Sequence, residues 1–178
     1  RLWGTLNGVE SRRFSGHTHI VHSAAFMPGG ESLLTSGNDG TVRVWDIATG
    51  REVARLLEEG TVNLKLALSP DGQRLATSDD DFRIHIWRLD TMERLHTLVG
   101  HTDLVSQIAF SPDGRLLATA GFDRSIYVWD AATGEVIHHL VGHAARVFGI
   151  AFSPDGSLIA SVSDDSTVRL RSEERRVG

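Results

Sequence analysis

Asp39, Asp81, Asp123 and Asp165 each stand 42 residues from the next, and they do not keep that step alone. Thr35, Thr77, Thr119 and Ser161 precede them by four positions. Trp3, Trp45, Trp87 and Trp129 share the period, as do Pro28, Pro70, Pro112 and Pro154. His17, His101 and His143 fall in register too, with Glu59 in the place of a fourth histidine. No insertion interrupts the spacing. A fixed period of this length means stacked copies of one supersecondary unit, none of which can bury its apolar surface alone.

Within a unit, short apolar runs rich in β-branched residues alternate with turn residues. In the first full unit residues 20–26 scarcely alternate, which predicts a strand buried on both faces. The turn Met27-Pro28-Gly29-Gly30 follows, and in later units it becomes Ser-Pro-Asp-Gly, a type I turn with proline at its second position. Residues 32–36, 41–46 and 53–57 complete a four-stranded meander, and residues 10–14 read as one further strand before it. No stretch keeps helical spacing, so the fold class is all-β.

The recurring Gly-His, Ser-Pro-Asp-Gly and Trp-Asp motifs, as at Gly100-His101, 111–114 and Trp129-Asp130, resemble the WD-repeat (WD40) β-propeller family. The resemblance covers residues 1–170 and implies four-stranded antiparallel blades. Residues 1–15 then end a preceding blade, 16–57, 58–99 and 100–141 form three blades, and 142–170 form a truncated fourth. Four repeats are fewer than the seven or so with which the family closes, so an incomplete propeller is expected. The alternatives are closure with other copies through exposed blade edges, or a tight ring in which residues 10–14 complete the fourth blade. At residue 171 the expected tryptophan is Arg171, and residues 171–178 (RSEERRVG) leave the repeat. They read as a tail of artefactual origin without a fold.

His101, Thr119, Asp123 and Trp129 hold the residue types of a nucleophile, a base and an orienting acid. The same set stands complete at His17, Thr35, Asp39 and Trp45. It is incomplete at Thr77, Asp81 and Trp87, and at His143, Ser161 and Asp165. Repetition argues for a scaffold over a site, and the resemblance implies a structural hydrogen-bond chain running from indole to hydroxyl to imidazole to carboxylate. Glu59 cannot share that network with Asp81 while both are ionised, so it is expected to point to solvent and leave the second blade weakly tethered.

The chain has no cysteine, which excludes disulfides and thiolate metal sites. His17, His19 and His22, or His138, His139 and His143, lack the converging ligands a metal needs, and no cofactor motif is present. The net charge of -5 without a basic stripe speaks against nucleic acid, and no apolar run approaches the roughly 20 residues of a membrane helix. With no leader visible, a cytoplasmic location is expected. The expected function is a non-catalytic scaffold for other proteins or peptides; the alternative is the propeller module of a larger kinase or nucleotide hydrolase. The resemblance places partner-binding residues on the loop face, at His19, Asn38, Asp80, Asp103, Phe122, Arg146 and Asp164. Phe122 is the foremost of them, as aromatic anchors dominate binding energy. Glu58, Glu59, Asp79, Asp80 and Asp81 are expected to gather on the second blade, where they suit a basic partner segment.

Overall fold

The computed structural model describes residues 1–57 and 65–172. A two-stranded sheet, β1 (Leu2–Trp3) with β2 (Glu10–Arg12), comes first. Blade 1 follows with β3 (Val21–Phe26), β4 (Ser32–Gly37), β5 (Thr41–Asp46) and β6 (Glu52–Leu57). Blade 2 holds β7 (Leu66–Leu68), β8 (Arg74–Ser78), β9 (Ile84–Arg88) and β10 (Glu93–Leu98). Blade 3 holds β11 (Val105–Phe110), β12 (Leu116–Gly121), β13 (Ile126–Asp130) and β14 (Val136–Leu140). Blade 4 has β15 (Val147–Phe152), β16 (Leu158–Ser163) and β17 (Val168–Ser172). Each blade is an antiparallel meander, and the first strands of neighbouring blades lie against one another. β3, β7, β11 and β15 are therefore the inner strands.

The turns between first and second strands owe their shape to their sequence. In Ser69-Pro70-Asp71-Gly72 the Gly72 amide donates to the Ser69 carbonyl at 2.8 Å, closing the turn that the proline initiates. The Asp71 carboxylate takes the Ser69 hydroxyl and the Gln73 amide, and 111–114 and 153–156 repeat this arrangement. The hydroxyl of Ser153 and the amide of Ser157 hold the Asp155 carboxyl down at about 2. Gly72 sits at φ 69°, and a Cβ there would meet Pro28 Cγ of the preceding blade at 2.7 Å. Only glycine fits both the left-handed backbone and that approach.

Apolar side chains pack between blades, not within them. Ala76, Ile84, Ile86 and Leu98 of blade 2 meet Val105, Ile108, Leu117 and Trp129 of blade 3. Ala118, Ala120, Ile126 and Val128 of blade 3 meet Val147, Ile150 and Ile159 of blade 4, and Leu34 and Val42 meet Leu66 and Leu75 at the remaining interface. Each fully buried aliphatic side chain contributes about 1.5–3 kcal/mol relative to exposure. This sheet-on-sheet arrangement explains why the strand patterns scarcely alternate.

The expectation for residues 20–26 does not hold. Phe26 is 57% exposed and Val21 is exposed as well, because no cluster packs on that face of β3. At the other end Val162, Val168 and Leu170 are exposed, although their counterparts one period earlier, Ala120, Ile126 and Val128, are fully buried. Among the described residues the sheets form an open, incomplete propeller. β2 pairs with β1 and not with β17, so residues 10–14 do not complete the fourth blade. The reading of 171–178 as wholly without a fold also needs correction. Arg171 and Ser172 extend β17 opposite Ile159 and Leu158, since ladder pairing joins backbone groups and is indifferent to the lost tryptophan.

Candidate functional site

The turns between second and third strands, and the segments leading into each first strand, share one edge of the molecule. The recurring polar residues meet there. In blade 3 the Trp129 indole N–H donates to Thr119 Oγ1 at 3.0 Å, and that oxygen lies 2.9 Å from His101 Nε2. His101 Nδ1 is 2.9 Å from Asp123 Oδ2, which also accepts the Thr102 amide. With Nδ1 protonated every group has a partner: the threonine accepts from indole and donates to imidazole, and imidazole donates to carboxylate. Thr119 is fully buried and Trp129 nearly so. A hydroxyl committed in both directions and closed to solvent cannot reach a substrate as a nucleophile.

Blade 1 repeats the chain through Trp45, Thr35, His17 and Asp39, at 2.8, 2.6 and 2.9 Å. It adds Arg43, buried between Asp39 at 3.2 Å and Glu52 at 2.8 Å. In blade 4 His143 joins Ser161 and Asp165 at 2.9 and 2.7 Å, while Arg171, in the tryptophan's place, donates to the Val141 carbonyl.

Blade 2 is wired differently. Trp87 donates to Thr77 at 3.0 Å, but the Asp81 side chain is 64% exposed and among the described residues reaches Arg83 alone, at 3.7 Å. The buried histidine–carboxylate hydrogen bond is instead His85 Nε2 with Asp79 Oδ2 at 2.9 Å, supported by the Arg83 amide on Asp79 and by Thr97 beside His85 Nδ1. Asp81 therefore does not join the network assigned to it, and a different buried pair stands in blade 2. Glu59, and the prediction made for it, lie outside the described residues. The substitution has a steric logic. Asp79 occupies the repeat position of Gly37, Gly121 and Ser163; at Gly121 a Cβ would meet His101 Nδ1 at 2.5 Å. Beside a tether histidine the position holds nothing larger than the serine of blade 4, and where that histidine is absent from the sequence it carries a carboxylate. The readable signal was a paired departure: Asp79 for a small residue together with His85 where Arg43, Tyr127 and Arg169 stand.

Burial by itself raises the carboxyls of Asp39, Asp79 and Asp123. Hydrogen bonds from Thr41, the Thr18 amide and His17 at Asp39, from His85 and the Arg83 amide at Asp79, and from His101 and the Thr102 amide at Asp123 outweigh it. All three titrate below the ordinary value of about 3.9. A lowered folded pKa gives stability that is complete above the unfolded pKa and lost as pH falls through the folded one. The melting temperature is thus expected to hold from neutral pH to about 5 and to drop below about 4. Thermal melts across that range check this, and Asp123→Asn should flatten the acid limb.

The loop residues are brought together in pairs. The Asn38 amide donates to the Ile20 carbonyl beside His19, that of Phe122 to Leu104 beside Asp103, and that of Asp164 to Arg146, at 2.8–3.0 Å. His19, Asp80, Arg146 and Asp164 are exposed, while Asn38, Asp103 and Phe122 are half-buried. Phe122 meets Phe148 of blade 4 edge-on, with ring centroids 5.3 Å apart. The acidic cluster is not assembled as expected: Asp79 turns inward to His85, Asp81 is drawn to Arg83, and Glu58 and Glu59 lie outside the described residues. His22 bonds Asn38, and His139 stacks on Tyr127 at 4.3 Å. No three histidine or carboxylate side chains among the described residues converge as metal ligands.

The family model described as "WD domain, G-beta repeat" matches residues 8–46, 58–88, 92–130 and 134–172. The chain belongs to the WD-repeat family. The WD repeats at 8–46, 92–130 and 134–172 each run from the outermost strand of one sheet to the third strand of the next, so sequence repeat and blade are out of phase. Among similar proteins, Ribosome biogenesis protein BOP1 homolog of Drosophila persimilis is 43% identical over 54 residues, 30% of this chain and 7% of that protein. Ribosome biogenesis protein erb1 of Aspergillus clavatus is 49% identical over 53 residues, 29% and 7%. Ribosome biogenesis protein ERB1 of Chaetomium thermophilum is 51% identical over 45 residues, 25% and 6%. The matches thus span well under a tenth of the relatives' length. They overturn the cytoplasmic expectation: these relatives are named for ribosome biogenesis. The lack of cysteine gave that compartment no real support.

Proposed function

We propose that this WD-repeat chain is a non-catalytic platform that holds partner proteins or peptides on its loop edge. The observation that carries the reading is the state of the recurring polar residues. Thr119, like Thr35, is closed to solvent and committed to both indole and imidazole, so the groups resembling a catalytic set fasten loops to strands. What varies between repeats lies outside these networks: Asn38, Asp80, Phe122 and Asp164 occupy one repeat position with different chemistry. A fixed frame with variable loops suits recognition more than turnover. The assembly of large complexes, such as the process the relatives are named for, is a setting for such a platform.

The test uses a photo-crosslinking residue placed at position 122 on the loop edge, or at position 91 on the opposite edge, with extract from the source cells. Crosslinks to protein concentrated at 122 are the expected result. Equal yields at both positions, or a turnover abolished by Thr119→Ala without loss of melting temperature, would overturn the reading.

A further inference from the structure

At the junction of blades 3 and 4 three residues depart from the repeat together. Phe122 stands where the other units have Asn38, Asp80 and Asp164. Arg146 stands where they have Ile20, Val62 and Leu104, and Phe148 where they have His22, Leu64 and Ser106. At the first two positions polarity is exchanged, Phe122 replacing polar residues and Arg146 apolar ones, and all three residues touch. The Arg146 guanidinium lies over the Phe122 ring at 5.0 Å, and the Phe122 ring meets Phe148 edge-on.

The backbone aims these groups outward. The register of β15 against β16 shifts between Val147 and Gly149, so Phe148 is the unpaired residue of a bulge, a feature that re-aims a side chain. Its counterpart Ser106 turns back, with its hydroxyl donating to the Val147 and Ala120 carbonyls. Phe148 has no such bond to make and is 45% exposed. Arg146 is exposed, and among the described residues no carboxylate pairs with it. A guanidinium held over a ring by a cation–π contact still has N–H donors to offer a planar, bidentate acceptor.

We infer that Phe122, Arg146 and Phe148 form a recognition site for a linear protein segment in which an aspartate or glutamate adjoins an apolar side chain. This rests on the loop-edge platform proposed above and names the partner's chemistry. The carboxylate meets the edge of Arg146 and the apolar side chain covers Phe148. One cation calls for one anion, and Asp103 and Asp164 on the flanking loops, in a chain of net charge -5, disfavour the dense phosphates of RNA.

The experiment selects a displayed library of random 12-residue peptides on the whole chain and on its Arg146→Gln, Phe148→Ser and Phe122→Ser variants, each checked for an unchanged melting temperature. A single-stranded RNA oligonucleotide is titrated in parallel. Enriched peptides should share an acidic residue beside an apolar one. Their binding should weaken at least tenfold with Arg146→Gln, and tenfold again when the acidic residue becomes its amide. Enrichment of peptides without an acid, equal binding by Arg146→Gln, no enrichment, or tighter binding of RNA through Arg146 each overturns the inference. Peptides that survive Arg146→Gln but are lost with Phe122→Ser would leave the platform standing and remove only the carboxylate recognition.

Discussion

Replacing His85 with alanine is expected to lower stability by about 3–5 kcal/mol, among the largest losses open to a single change in this chain. Asp79 is 1% exposed, and among the described residues His85 is the one side chain within a hydrogen bond of its carboxylate. Truncating the imidazole leaves a carboxylate shut away from water with only the Arg83 amide to satisfy it. Such a charge costs far more to strand than the intact pair contributes. The decisive arm is therefore the double substitution. Asp79→Gly restores the small residue of the other blades and removes the stranded charge. His85→Ala with Asp79→Gly should be less damaging than the sum of the two single changes by at least about 1 kcal/mol. Urea denaturation of all four proteins measures this, and additive losses would mean that the pair is not the tether of blade 2.

Thr119→Val tests the third blade by a cleaner deletion. The replacement is close to isosteric, so little cavity is created, and the hydroxyl alone is lost. Two buried groups then lack a partner, the Trp129 N–H and His101 Nε2, each at about 1–3 kcal/mol. A total of about 2–6 kcal/mol is expected. Thr119→Ser keeps the hydroxyl and should recover most of it. Little loss with valine, or a larger loss with serine than with valine, would assign the site's contribution to the methyl group's packing and not to the bridge.

The architecture was open to inspection in the sequence because the period is itself a statement about packing. Pro70, Pro112 and Pro154 initiate turns wherever they stand, and Val42, Ile84, Ile126 and Val168 recur because each faces a neighbour when one is present. Patterning reports what a side chain suits, however, and not what lies beside it, which is why Phe26 and Val21 read as buried and are exposed. At the polar networks the blades that follow the rule could be named residue by residue. Blade 2 could not, because Asp81 keeps the register while the bonding has moved to Asp79 and His85. A periodic template finds residues that occupy a position and overlooks those that take over its task from a neighbouring one. The touching of Phe122, Arg146 and Phe148 was likewise hidden, since they come from two blades and a bulge sets their direction.

The seams between blades have a consequence for how such a chain changes length. Ile84 and Ile86 meet Val105 and Ile108 much as Ile126 and Val128 meet Val147 and Ile150. Every unit thus carries one donor flank and one acceptor flank of the same two kinds. Duplicating or deleting a whole period splices like onto like and demands no new kind of contact. Altering a single flank residue, by contrast, obliges its opposite number in the next unit to change with it. Inheritance by whole units is therefore conservative for the frame, and novelty gathers in the loops, where a replacement answers to no neighbour across a seam.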